Sequence, residues 1–103
     1  MAKAGIAVNE GRLIVAVIIN NSVQVHRVKS LNEAKDILNT AKPESVGVDR
    51  SAAEFFDDIS FSFNTVKVDG EKEDETPIKS LTMLSITKDS DKKAINAAYY
   101  SSN

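Results

Sequence analysis

The chain has 103 residues, of which 42% are apolar, and it contains no cysteine and a single histidine. The lack of cysteine excludes a disulfide framework and a thiolate metal site, and one histidine rules out a His-rich zinc site within one chain. The 13 basic and 15 acidic residues give a net charge of −2, which excludes a global basic field for binding a phosphate backbone.

The length predicts a single domain over residues 1–103, with a core large enough to fold without disulfides or a structural metal. The longest uninterrupted apolar run, residues 13–19, is far shorter than the roughly 20 residues of a membrane helix. Residues 1–4 show no pattern of a secretory signal peptide. We therefore expect a cytoplasmic protein that does not associate with membranes.

The N-terminal part of the chain predicts three antiparallel strands joined by tight turns. Residues 5–8 form an apolar run that ends at a turn sequence containing Gly11. Residues 13–19 are apolar at every position, which is typical of a strand covered on both faces. Residues 23–28 alternate between apolar and polar side chains, as in a half-exposed edge strand, and this phase leaves His26 exposed.

A change to helical spacing follows the third strand. Ser30 and Glu33 form a capping box, which predicts the start of a helix, and Pro43 ends that helix. Between them the apolar residues fall on one helical stripe. These residues are Leu31, Ala34, Ile37, Leu38 and Ala41.

Residues 45–49 predict a fourth strand, and residues 61–68 predict a fifth. Between them, Ser51 and Glu54 repeat the capping-box spacing and indicate a brief helix. The acid pair Asp57-Asp58 is interpreted as a solvated helix end. Helix and strand spacing predicts that most of the four phenylalanines belong to the core; they are Phe55, Phe56, Phe61 and Phe63.

The C-terminal third begins with an acidic segment, residues 69–75, which holds five acids and one lysine and predicts a solvated loop. Thr76 and Pro77 are typical of a helix start, although residues 77–86 are compatible with either helix or strand. Residues 89–91 can cap a last helix. Together the elements predict an α/β fold on a mixed five-stranded sheet in the order 3-2-1-4-5, in which an antiparallel meander precedes an αβαβ unit and C-terminal helices.

This order of elements is similar to that of the ribonuclease H-like superfamily. The first hairpin resembles that of its Holliday-junction resolvase branch, in which a Gly-Ile pair leads through a turn and an arginine to a second strand ending Val-Ala-Val. In the last helix, an aspartate precedes small apolar residues, as in that branch. The residues that carry the resemblance are Gly5, Ile6, Arg12, Val15, Ala16 and Val17 in the hairpin, with Asp91, Ala94, Ala97 and Ala98 in the helix.

The resemblance implies a site where carboxylates from the first strand, the fourth strand and the last helix hold divalent metal, which activates water for phosphodiester cleavage. Position by position, Asp49 matches the fourth-strand acid, Asp91 matches the helix acid, and Ala7 stands where the first-strand acid would be. With Glu10 in the adjacent turn, Asp49 and Asp91 are the candidate catalytic residues, and Asp49 and Asp91 are the candidate metal ligands. Asp49 is equally explained as a polar residue at the end of the strand that leads into the Ser51 cap, and Asp91 as an acid attracted by the exposed amides and dipole of a helix N-terminus.

Because Ala7 cannot bind a metal, we predict a non-catalytic or catalytically impaired ribonuclease H-like domain that serves as a binding or assembly module. Nucleic acid is one candidate partner, with contacts from Arg12, Arg27, Lys29, Lys92 and Lys93. One alternative is a resolvase-like nuclease, the only case that requires a cofactor, magnesium. Another is a structural module that pairs with a protein partner or a second copy through the edge strand, residues 23–28.

Overall fold

The computed structural model describes residues 1–102, which form an α/β fold on a six-stranded mixed sheet. The strands are β1 (Ala2–Asn9), β2 (Arg12–Ile19), β3 (Ser22–Val28), β4 (Ser45–Asp49), β5 (Thr65–Val68) and β6 (Thr82–Met83). The α-helices are α1 (Leu31–Ala41), α2 (Phe56–Ser60) and α3 (Lys92–Tyr99). Short 3₁₀ turns cover Arg50–Phe55, Thr76–Ser80 and Asp89–Asp91. No helix within residues 1–102 combines the length and apolar character needed to cross a lipid bilayer.

The antiparallel meander of β1, β2 and β3 confirms the prediction for the N-terminal part of the chain. The turn between β1 and β2 places Glu10 and Gly11 at positive φ, which is the geometry that joins two twisted strands through two residues. The turn after β2 uses Asn20 at positive φ. Asparagine tolerates this left-handed conformation better than most side chains do. Local turn chemistry therefore sets the register of all three strands.

The sheet differs from the predicted one by a sixth strand, and its order is β5-β4-β1-β2-β3-β6. Strand β6 pairs in parallel with β3, where the Thr82 amide donates to the Asn21 carbonyl at 2.7 Å and the Leu84 amide donates to the Val23 carbonyl at 2.8 Å. The prediction of five strands with β3 at the edge is therefore wrong. After the 3₁₀ turn Thr76–Ser80, the chain extends and returns to β3, so residues 77–86 contain both helical and extended backbone.

Helix α1 begins as the capping box predicts. The Ser30 hydroxyl accepts a hydrogen bond from the Glu33 amide at 3.2 Å, and the Glu33 carboxylate accepts one from the Lys29 amide at 2.9 Å. The second predicted capping box is wrong, because the side chain of Asp49 rather than Ser51 caps the 3₁₀ turn that follows β4.

The fifth strand begins at Thr65, four residues later than predicted, because α2 and a turn occupy the chain up to that point. Phe61 lies in that turn with 93% of its surface exposed and is the one phenylalanine of the four that does not belong to the core. The other three phenylalanines pack partly buried against the core, as expected; they are Phe55, Phe56 and Phe63. A local pattern of alternating residues was too weak here to distinguish a strand from a turn.

The two faces of the sheet are covered differently. On one face, α1 and the segment 50–60 pack over a core that includes Val15, Leu38 and Ile59. On the other face, α3 packs on β1, β2 and β4 through small and apolar side chains. Its approach is very close at Gly47 of β4, where a Cβ atom would overlap the backbone of Ala97. The close contact fixes α3 directly over the centre of the sheet.

Candidate functional site

Asp49 is buried at the C-terminal end of β4, and protein donors occupy both of its carboxylate oxygens. Its Oδ1 accepts a hydrogen bond from the Gly70 amide at 2.7 Å. Its Oδ2 accepts from both the amide and the hydroxyl of Ser51. The side chain therefore caps the following turn and ties the loop at Gly70 to the sheet, which is a structural use of the carboxylate.

Asp91 is fully buried at the start of α3. Its Oδ2 accepts hydrogen bonds from the Arg27 guanidinium and from the Lys88 amide, the latter at 2.8 Å. Its Oδ1 has no hydrogen-bond partner within residues 1–102. The salt bridge to Arg27 joins the last helix to β3, so this carboxylate also holds two elements together.

The structure places only some of the predicted site residues together. Pairing of Ile6 with Val48, continued by one residue, puts Ala7 beside Asp49 on the face covered by α3. Asp91 instead reaches Arg27 on β3, which lies three strand positions from β4, a separation of about 14 Å. Glu10 is exposed in the first turn.

No group of three or more His, Asp or Glu side chains within residues 1–102 is arranged to hold a metal ion. A magnesium site would need several unengaged oxygen ligands around one point. Asp49 and Asp91 are engaged with protein donors, and Ala7 supplies no ligand. The residues present therefore do not fit the metal that the family resemblance implies.

Three of the five candidate nucleic-acid contacts are engaged within the protein. Arg27 binds Asp91, and Lys92 forms ion pairs with Glu75 at 3.4 Å and Asp89 at 3.5 Å. The Lys93 ammonium donates to the Val8 carbonyl at 3.1 Å. The remaining two, Arg12 and Lys29, are exposed and flank the paired residues Leu13 and Val28 at one end of the hairpin. They form a small basic patch.

A groove of about 470 Å³ lies on the face of the sheet that α1 covers, where the helix stops short of β3. Strands β2 and β3 supply its floor, and α1 supplies one wall. Its lining combines aliphatic side chains with a few polar ones: Val17, Ile19, Gln24, His26, Asp36, Ile37, Thr40 and Ala41. His26 is half-buried in this lining and therefore less exposed than the sequence suggested.

Exposed aliphatic side chains continue the groove toward β6. Ile19 is 47% exposed and Leu84 is 61% exposed. The register of β6 against β3, extended by one residue, places Leu84 beside Gln24 on the groove side of the sheet. This surface was not predicted from the sequence, although the alternation of β3, which leaves Gln24 and His26 outward, is a signal of it.

Comparison with known proteins assigns no family to the chain. No protein-family model matches it. Neither the curated proteins nor the solved structures gave a match. The function is therefore inferred from the geometry of the chain itself.

Proposed function

We propose that this chain is a non-catalytic, ribonuclease H-like domain that binds a partner protein by taking up an amphipathic helix in the groove beside α1. The family part of the proposal is supported by the neighbouring positions of Ala7 and Asp49 under α3. The observation that carries the binding function is the uncovered apolar surface over β2, β3 and β6. It includes Ile19 and Leu84.

The layers of the fold favour a helix as the occupant. A sheet in an α/β domain is stabilised when helices cover both of its faces. On the α3 side, Ile78 and Leu81 extend the cover over β2 and β3. On the α1 side, no second helix of residues 1–102 covers β3, and the floor between Ile37 and Leu84 stays open. A partner helix would complete this layer.

Addition of a partner strand is less favoured, because the outer edge at this side consists only of Thr82 and Met83 and the chain bends at Leu84. Short edge strands are poor templates for pairing. The outer edge of β3, which the sequence predicted to be free, is also occupied, since the Val25 amide donates to the Ser85 hydroxyl at 3.0 Å. Asp36 is the acidic side chain of the groove lining, so a basic residue beside the apolar stripe of the partner helix would complement it.

The proposal is tested with a designed amphipathic peptide of about 15 leucine and lysine residues at helical spacing. In an NMR titration of ¹⁵N-labelled protein, we expect shifts confined to the groove, at Gln24, His26 and Thr40 among others. The variant Ile19→Asp/Leu84→Asp is expected to bind about tenfold or more weakly, because two exposed apolar contacts are replaced by charge.

The control peptide has the same composition in scrambled order, so it lacks an apolar stripe. The control variant is Phe61→Asp, which removes an exposed apolar side chain outside the groove lining. Shifts that are equal for the two peptides, or unaffected by the Ile19 and Leu84 substitutions, would contradict the proposal. If sedimentation experiments showed a dimer and Leu84→Asp dissociated it, the occupant of the groove would be a second copy of the chain and not a partner helix.

The nuclease alternative makes a separate prediction. Because protein donors hold both oxygens of Asp49, millimolar Mg²⁺ or Mn²⁺ is expected to leave the melting temperature unchanged. The measurement is a thermal melt with and without each metal at constant ionic strength. A metal-dependent rise in the melting temperature that Asp49→Asn abolishes would restore the nuclease alternative.

The nucleic-acid alternative has the support of Arg12 and Lys29 alone, because the other basic candidates are engaged.

A further inference from the structure

A second concave surface lies between the start of α3 and the loop 69–75. This cavity, here called the acidic basin, has a volume of about 600 Å³. Five acidic and two basic side chains line it, which leaves a formal charge of −3. The charged residues are Glu71, Glu73, Asp74, Glu75 and Asp89, with Lys92 and Lys93.

The loop that carries most of these acids is fastened to the rest of the fold. The Gly70 amide donates to Asp49, and the Gly70 carbonyl accepts from the Asn96 side-chain amide at 2.9 Å. Farther along, the Tyr100 hydroxyl donates to the Asp74 carbonyl at 2.7 Å. These bonds hold the backbone of the loop against β4 and α3, so its acidic residues stay around the basin.

Asn96 provides an independent sign of a ligand. It lines the basin, yet it is only 2% exposed, and its Oδ1 has no hydrogen-bond partner within residues 1–102. Its side-chain nitrogen is already bound to the Gly70 carbonyl. A buried carbonyl oxygen without a donor costs free energy, and an N–H group at this position would remove that cost.

The acids of the basin are only partly neutralised by the protein. Glu75 and Asp89 form ion pairs with Lys92, and their negative charges raise the pKa of its ammonium group. No ion pair joins Glu71 or Glu73 to a basic side chain within residues 1–102. The carboxylates are also spread apart, since no group of them is arranged around a single metal ion in the described part of the chain.

We propose that the acidic basin binds an aliphatic polyamine, whose ammonium groups pair with Glu71, Glu73 and Asp74 while one N–H donates to Oδ1 of Asn96. Carboxylates that do not converge on one point match several charges on one flexible chain better than they match a compact ion. The neighbouring Lys92 is the internal example of such a contact.

Spermidine is the probe for this site, used at low ionic strength because salt screens exposed carboxylates. Saturating spermidine is expected to raise the melting temperature of the wild-type protein by about 4 °C or more. In a parallel NMR titration, the side-chain amide signals of Asn96 are expected to shift. The variant Glu71→Gln/Glu73→Gln is expected to bind about tenfold more weakly.

The matched control, Asp57→Asn/Asp58→Asn, removes the same charge from exposed positions on α2 and is expected to bind spermidine like the wild-type protein. Equal effects of spermidine on all three proteins would overturn the proposal, as would unchanged Asn96 signals. An equal stabilisation by Mg²⁺ would overturn it in favour of a simple cation effect. Binding of tetralysine without binding of spermidine would show that the ligand is a basic peptide and would overturn the assignment to a free polyamine.

Discussion

Replacement of Gly47 by alanine is expected to lower the free energy of unfolding by about 3 kcal/mol or more. The added Cβ atom would overlap the carbonyl oxygen and the carbonyl carbon of Ala97. These are backbone atoms of α3, so they cannot rotate away as a side chain could. The helix would have to move off β4, and the contacts of Ala94 and Ile95 with the sheet would loosen. Urea unfolding followed by circular dichroism measures the change through the midpoint.

Gly11→Ala is the matched control for this experiment. Gly11 has a positive φ but no atom within 4 Å of an added Cβ, so its replacement costs only conformational strain of about 1–2 kcal/mol. If Gly47→Ala were as stable as the wild-type protein, α3 could not lie as close to β4 as the structure shows.

Replacement of Arg27 by methionine is expected to cost about 3–5 kcal/mol of stability, because it leaves the Asp91 carboxylate buried without a counter-ion. Asp91 is fully buried and one of its oxygens already lacks a partner, so solvent cannot easily compensate. Methionine preserves much of the apolar stem of the arginine. The measurement is again the urea midpoint.

The double variant Arg27→Met/Asp91→Asn serves as its control. Asparagine removes the buried charge and still offers an oxygen to the Lys88 amide, so it should recover most of the loss. A cost below about 1 kcal/mol for Arg27→Met alone would mean that the ion pair behaves as an exposed surface pair.

The elements that sequence predicted well are those determined by neighbouring residues. The capping box at Ser30 and Glu33 and the turn at Gly11 act over three or four residues, and both appear in the structure. Strand β6 could not be predicted in the same way, because it is two residues long and exists only by pairing with β3 some sixty residues earlier in the chain.

The candidate site was predicted less completely than the fold. The acids Asp49 and Asp91 were identified from a family pattern, and that pattern contains no information about Ser51, Gly70 or Arg27, which occupy them. Arg27 and Asp91 are 64 residues apart in the chain, so no local spacing reveals their ion pair. The groove exists because no helix of residues 1–102 covers β3 on the α1 side. No single segment of the sequence reveals that absence.

The position of α3 also constrains how the chain folds. This helix is formed by residues 92–99, yet it packs on β1, which lies at the other end of the sequence. During synthesis, one face of the sheet must wait for the last helix to leave the ribosome, with Ala7 and Ile14 facing water until then. Contacts between such distant segments slow folding because a long loop must close first. The apolar side chains of that face therefore stay uncovered until α3 docks, and in this state they are prone to aggregation.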